Sequence, residues 1–379
     1  MKLGVPNQTA QRERRVAITP DVTARLVKQS FEVVVQEGAG TAAGFLDQEY
    51  THAGASIVSE ASSAWGCDVV VSVRPPEKDQ VALMQRGSVL IGLVQPLDRP
   101  EVAAALAAAG VTTLAFETVP RTTKAQSMDV LSSQATAAGY QAVLEAAKAI
   151  TKFFPMLTTA AGTIAPAKVL VLGAGVAGLQ AIATAKRLGA MVSAYDVRAA
   201  AAEHVESLGA RFVSLAVEQQ EDETAGGYAR ELEQDAQRRL LMQLSEHVAR
   251  HDVVISTAAI PGKQAPLLVT RAMVEKMHPG SVIVDLAVST GGNCELSVAD
   301  EVVVHNGVKI FAPTDLVSGV ATNTSQMFAR NTLNLLAYLV HEEGLRIDLE
   351  DEITAGACIT HDGKVVNEGV RSLLEGGVS

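Results

Sequence analysis

The stretch Val169-Leu170-Val171-Leu172-Gly173-Ala174-Gly175-Val176-Ala177-Gly178 decides the fold. Four aliphatic residues make a buried strand. Three glycines in G-x-G-x-x-G spacing follow, and a helical pattern then runs from Val176 to Leu188 and stops at Gly189. Gly173 permits the tight turn, Gly175 lets backbone N–H groups approach a pyrophosphate, and Gly178 lets helix and strand pack closely. The N–H groups around Val176 and Ala177 stand at the positive end of the helix dipole. The next strand, Met191 to Tyr195, ends at Asp196, 18 residues beyond Gly178, where a carboxylate accepts both hydrogen bonds of an adenosine ribose diol. Asp196, with Val197 beside it, favours NAD(H), because a 2′-phosphate next to a carboxylate is repelled. Arg198 pulls the other way, since it can neutralise such a phosphate. A plainer description also fits: a tight turn in which Asp196 only caps the next helix. The joint occurrence of strand, turn, helix and acid favours the dinucleotide.

Working outward, short apolar runs alternate with helical patterns on both sides. Leu3 to Val5, Glu32 to Val35, Asp68 to Val73, Ser88 to Leu93 and Thr112 to Phe116 read as strands, with helices such as Pro20 to Gln29 and Glu101 to Ala109 between them. Asp252 to Ser256 and Ser281 to Asp285 continue the later series. This alternation predicts an α/β fold with two Rossmann-like, doubly wound parallel-sheet domains. Two long helices, Met128 to Lys152 and Val320 to His341, link them. The expected division is 1–127 plus 340–379 for the first domain and 128–339 for the second. The polar loop Glu218 to Gly227, closed by Gly226-Gly227 before Tyr228, is long enough to move.

Composition narrows the function classes. With 31 Lys+Arg against 42 Asp+Glu in 379 residues, the net charge of −11 gives phosphate backbones no reason to bind, so nucleic acid is excluded as a partner. The longest run free of Asp, Glu, Lys and Arg, residues 169–185, is too short and glycine-rich to span a membrane. Three widely spaced cysteines, Cys67, Cys294 and Cys358, argue against a disulfide framework, and no Cys or His pair has metal-ligand spacing. No secretory signal is read at the N-terminus, so the expected location is cytoplasmic.

A second motif identifies a family. Glu117-Thr118-Val119-Pro120-Arg121-Thr122-Thr123-Lys124-Ala125-Gln126-Ser127-Met128-Asp129-Val130-Leu131-Ser132-Ser133 ends a strand in a polar loop that opens a long helix. With Arg14 to Pro20, the glycine turn and Gly226-Gly227-Tyr228-Ala229, it resembles the NAD(H)-binding alpha subunit of proton-translocating NAD(P) transhydrogenase, over about Met1 to His361. The resemblance implies that Arg121, Gln126, Asp129 and Ser132 lie beside the nicotinamide and that Tyr228 sits on a loop folding over bound nucleotide. Physically, Arg121 and Asp129 can pair to fix the loop, while Gln126 and Ser132 can hydrogen-bond a neutral carboxamide. Helix capping by Ser127 or Asp129, and an inconsequential loop tyrosine, are the plain alternatives. Also implied are NADP(H) on a partner, a membrane beta subunit together with a short membrane alpha subunit, a homodimer, and peripheral attachment to the inner membrane through those partners.

The architecture is similar to alanine dehydrogenase as well, and chemistry separates the two. Oxidising an amino acid requires a proton-transfer group and a carboxylate clamp. In alanine dehydrogenase these are an Arg, a Lys, a His and an Asp; here the matching positions hold Arg15, Arg74, Gln95 and Ser289. None of the eight histidines replaces the missing base; His247, His251, His278 and His305 read as solvated surface residues. Direct hydride transfer between two nicotinamides needs no such group. A transhydrogenase subunit is therefore the leading expectation. A self-contained alanine-type dehydrogenase and a non-catalytic NAD-binding module are the alternatives.

Overall fold

The computed structural model describes residues 1–10, 12–215, 234–259, 263–341 and 344–376. The chain divides into two compact units, 1–134 with 317–379, and 135–316.

The first unit is built on an eight-stranded sheet. Its early strands are β1 (Lys2–Val5), β2 (Glu32–Gln36), β3 (Ser56–Val58), β4 (Val69–Ser72), β5 (Val89–Gly92) and β6 (Thr112–Ala115). The second unit contains the exposed hairpin β7 (Leu157–Thr159) and β8 (Gly162–Ile164). Its sheet strands are β9 (Lys168–Leu172), β10 (Met191–Tyr195), β11 (Arg211–Phe212), β12 (Val253–Ser256), β13 (Val282–Asp285), β14 (Val302–His305) and β15 (Val308–Phe311). The chain then returns to the first unit with β16 (Val340–His341), β17 (Gly344–Leu345), β18 (Cys358–His361) and β19 (Lys364–Val365).

Strand order in the first sheet is β19-β18-β6-β5-β4-β1-β2-β3, parallel except where β18 pairs antiparallel with β6 and β19 with β18. In the second it is β11-β10-β9-β12-β13-β15-β14, parallel except for the last strand. The central strands are apolar on both faces because both of those faces are covered. Val169 and Val171 enter a core with Ala142, Val143 and Ala146, while Leu170 and Leu172 enter another with Leu240, Leu244 and Val248. Leu3, Val71 and Ile91 likewise face one core of the first sheet, and Val70 and Leu90 the other.

The helix Val130–Ala149 carries the boundary at residues 134/135: Val130 belongs to the core of the first unit, and Ala142 to Ala146 to that of the second. The return helix Ala321–Leu339 packs wholly in the first unit, burying Phe328, Leu335, Leu336 and Leu339 there. The observed division therefore falls earlier at the return than the 339/340 read from sequence. Two further close approaches involve glycine. A Cβ on Gly139 would land on the carbonyl oxygen of Ala177, and one on Gly178 would land on that of Gly173.

Candidate functional site

In the second sheet β9 and β12 are neighbours, but the strands that follow them lead away to opposite edges. Open α/β sheets bind ligands in the crevice at such a reversal, outside the carboxyl ends of the strands. The glycine turn stands there. Gly173 adopts φ +100, and a Cβ would meet the Thr257 hydroxyl at 2.6 Å. Gly175 and Val176 are exposed, a Cβ at Gly175 would meet nothing within 4 Å, and no side chain caps the helix Val176–Arg187. Its first N–H groups, including that of the half-buried Ala177, thus form an open, positively polarised end of the kind that binds anions.

Asp196 closes one side of the turn. Its carboxylate accepts the Ala174 N–H (2.7 Å), the Arg198 N–H (2.9 Å), Arg198 Nε (2.9 Å) and Arg198 Nη2 (3.0 Å), and the residue is buried. Burial opposes its ionisation, but the bonds from Arg198 and Ala174 outweigh that and hold its pKa below the usual carboxylate range. Val197 is half-buried against the neighbouring core. Arg198 is thus engaged with Asp196, so the two act as one unit.

The other side of the crevice contains residues that sequence reading missed. Thr257 donates to the Gly173 carbonyl at 3.1 Å. Asn293, fully buried, accepts the Ala258 N–H at 3.1 Å and donates to the Ala258 carbonyl at 2.8 Å. Asp285 in turn accepts the N–H groups of Asn293 (2.8 Å), Cys294 (3.0 Å) and Ala287 (3.0 Å) and the hydroxyls of Ser256 (3.0 Å) and Ser297 (2.7 Å). The usable signal was topological: once β12 is placed beside β9, the residues after Ser256 must face the glycine turn.

The loop motif lies in the first unit. After β6 come two 3₁₀ turns, Phe116–Thr118 and Thr123–Met128, and then the helix Val130–Ala149. A cleft of about 230 Å³ is lined by Pro120 to Thr123, Ala125, Gln126 and Asp129. Arg121 and Gln126 are exposed at its rim. Asp129 accepts the Ser132 N–H at 2.9 Å and the Ser132 hydroxyl at 2.6 Å, which is N-cap geometry for the helix. The structure therefore brings Arg121, Gln126 and Asp129 onto one cleft and couples Ser132 to Asp129. Tyr228 and the loop Glu218 to Gly227 fall outside the described residues.

The structure places the four positions that the sequence set against a dehydrogenase's substrate residues as follows. Arg15 is buried, and Glu13 takes its Nε at 2.9 Å and its Nη2 at 2.7 Å, while Gln134 takes Nη1 at 2.9 Å. Ser318 completes Glu13 at 2.9 Å. Arg74 is exposed, its N–H and carbonyl bonded to the side chain of Gln8. Gln95 sits at φ +51, a left-handed conformation costly for a side-chain-bearing residue, with its N–H bonded to Glu117 Oε1 at 2.7 Å. The Glu117 Oε2 is buried without a partner. Ser289 lies in the 3₁₀ turn Val288–Thr290 of the second unit.

His251, expected at the solvated surface, is instead buried, with Nδ1 2.6 Å from the His247 carbonyl. Its helix runs straight into β12, which pulls the ring against the unit. His305 lies at the surface as expected, its Nε2 3.0 Å from Glu275. Among the described residues no three His, Cys, Asp or Glu side chains gather as a metal site, and no helix is long and apolar enough to cross a membrane.

Known proteins are similar to this chain over nearly its whole length. The family described as "Alanine dehydrogenase/PNT, N-terminal domain" matches residues 4–138, and its C-terminal counterpart residues 142–368. An NAD(P) transhydrogenase alpha-subunit chain of Rhodospirillum rubrum is 47% identical over 97% of this chain and 98% of its own. The crystal structure of transhydrogenase from Sinorhizobium meliloti superposes with a TM-score of 0.85 at 41% identity, covering 97% of this chain and 99% of its own. An L-alanine dehydrogenase superposes with a TM-score of 0.82 at 26% identity, covering 99% of each. The chain belongs to the alanine dehydrogenase/PNT family.

Glu117 yields a testable property of this region. Burial raises its pKa to about 7, against the opposing pull of the N–H groups of Gln95, Glu117 and Val94. A carboxyl whose folded pKa is raised stabilises the fold fully below its unfolded pKa, and that contribution is lost as pH rises through the folded value. Glu117→Gln keeps an acceptor for Gln95 but cannot ionise. Urea denaturation should show the variant gaining up to about 3 kcal/mol on wild type between pH 4.5 and pH 8. A difference independent of pH would place the Glu117 carboxylate in contact with water.

Proposed function

We propose that this member of the alanine dehydrogenase/PNT family is the NAD(H)-binding subunit of a proton-translocating NAD(P) transhydrogenase. Bound NADH supplies a hydride to NADP⁺ held on a partner subunit. The partners are an NADP(H)-binding membrane beta subunit and a short membrane alpha subunit, which attach this chain, as a homodimer, to the inner membrane and carry the proton path. The identity to transhydrogenase alpha subunits over nearly the whole chain supports the reading.

The observation that carries it is the state of Arg15. A substrate-oxidising relative needs a cation free to clamp a carboxylate and a base to move a proton. Here Glu13 already fills the guanidinium fork, and Arg74, Gln95 and Ser289 stand at the other three positions. Hydride transfer between two nicotinamides asks only for position and exclusion of water.

Each residue then has a task. The open helix end at Gly175, Val176 and Ala177 takes the pyrophosphate, with Gly173 and Gly178 shaping the turn. Asp196 and Val197 receive the adenosine ribose, the hydroxyls replacing side-chain donors of Arg198 on the carboxylate. Arg121, Gln126, Asp129 and Ser132 orient the nicotinamide, and Tyr228 covers it.

Asp196→Ala should weaken NADH binding by one to two charge-assisted hydrogen bonds, roughly 1.5–3 kcal/mol each. NADPH binding should fall less, because Arg198 is released toward a 2′-phosphate. Titration with both nucleotides measures this, and equal losses would show that Asp196 does not read the ribose. Gln126→Ala should leave NADH affinity within a few-fold yet slow transfer to NADP⁺ on the order of a hundredfold, the cost of about 1 Å of misplacement. Stopped-flow transfer in the reconstituted complex, set against equilibrium binding, separates the two. Equal losses would make Gln126 a ground-state binding residue.

A further inference from the structure

The return helix Ala321–Leu339 directs three polar side chains at the loop that carries Gln126. Asn331, Asn334 and Tyr338 are spaced i, i+3, i+7, and so share one face of the helix. The Nδ2 groups of Asn331 and Asn334 both donate to the Ser127 carbonyl, at 2.8 Å and 3.0 Å. Asn331 Oδ1 also accepts the Ser133 hydroxyl at 2.8 Å, in the first turn of the helix that follows the loop. Lys124 donates to the Tyr338 hydroxyl at 3.0 Å, and that hydroxyl donates to Asp351 at 2.6 Å.

Ser127 lies between Gln126 and Asp129, and its carbonyl belongs to the short 3₁₀ segment Thr123–Met128. Such segments hold their shape poorly by themselves, because their hydrogen bonds are few and badly aligned. Two amides converging on one carbonyl oxygen fix the Ser127–Met128 peptide, one residue beyond Gln126. Asn331, through Ser133, also fixes the start of the helix capped by Asp129.

We propose that Asn331 and Asn334 are positioning residues for the Arg121–Asp129 loop, acting through its backbone to set the rate of hydride transfer rather than the affinity for NADH. This rests on the reading of that loop as the nicotinamide site. Neither asparagine touches the cleft, so their removal withdraws no nucleotide contact.

Asn334 is exposed, so its substitution should leave the fold intact. In the free chain, hydrogen exchange of amides 125–129 should be at least threefold faster in Asn334→Ala than in wild type. In the reconstituted complex, single-turnover transfer from NADH to NADP⁺ should be about fivefold slower, and at least tenfold slower in Asn331→Ala/Asn334→Ala, with the NADH Kd within threefold. Asn334→Asp, of the same shape but without the donor, should behave like alanine, and Asn334→Gln should recover part of the rate. Unchanged exchange and transfer in Asn334→Ala, or a loss of rate matched by loss of affinity, overturns the proposal. Gln126→Ala runs alongside as a control. If it transfers normally, the nicotinamide reading falls and the proposal with it; if it is slow while the asparagine variants are normal, only the positioning role falls.

Discussion

Between Leu172 and Gly178 the chain passes from a buried parallel strand into a helix through a turn in which two positions, Gly173 and Gly178, have no room for a side chain. That constraint organises the second unit. The Gly178 Cα comes so close to the Gly173 carbonyl that any Cβ there collides, and the Thr257 hydroxyl occupies the room a side chain on Gly173 would need. The helix end is therefore drawn tight against the ends of β9 and β12, with its free N–H groups facing outward. Asp196 is tied to the same turn through the Ala174 N–H, so the acid and the helix end keep a fixed relation. Behind the opposite wall, Asp285 accepts five donors and Asn293 grips Ala258 from both sides, which ties Ala258 to the end of β13.

The first unit solves a different problem. The reversal of its strand order lies between β1 and β4, where ligands bind in sheets of this kind, yet Gln8 spans that point by bonding the N–H of Val73 at 2.7 Å and the carbonyl of Arg74 at 3.0 Å. Nearby in sequence, Glu13 and Arg15 neutralise each other inside the protein. Burial works against the Glu13 charge, and Arg15 overcomes it, holding the carboxyl below its usual range. A buried pair of this kind contributes little net stability but is costly to break, so it serves to fix a conformation. It joins the N-terminal segment to Gln134 on the helix that the candidate loop opens into.

Much of this was legible in the sequence. The runs Leu3 to Val5, Asp68 to Val73 and Lys168 to Leu172 are apolar on both faces, which only a covered parallel strand requires, and the glycine turn names its own place in the topology. Asn306-Gly307 marked a turn, and it joins β14 to β15 with φ +48 and +76. Other features carry no local signal. β3 and β19 are two or three residues long at sheet edges, too short to show a period. Asn331 and Asn334 sit in a helix pattern they do not alter, and their partner Ser127 lies more than 200 positions away. Arg15 was legible as a cation, but its saturation by Glu13 depends on how the intervening backbone folds.

The proposed function requires that the chain present NADH as a hydride donor and oxidise no substrate of its own. NADH carrying deuterium at the transferred position of C4 tests it most directly. The chain is mixed either with pyruvate and ammonia alone or with its membrane partners and NADP⁺. The expected result is no oxidation in the first mixture, and in the second the deuterium recovered on C4 of NADPH without loss to water. Labelled alanine formed by the chain alone, or deuterium washed out into solvent during transfer, would contradict it.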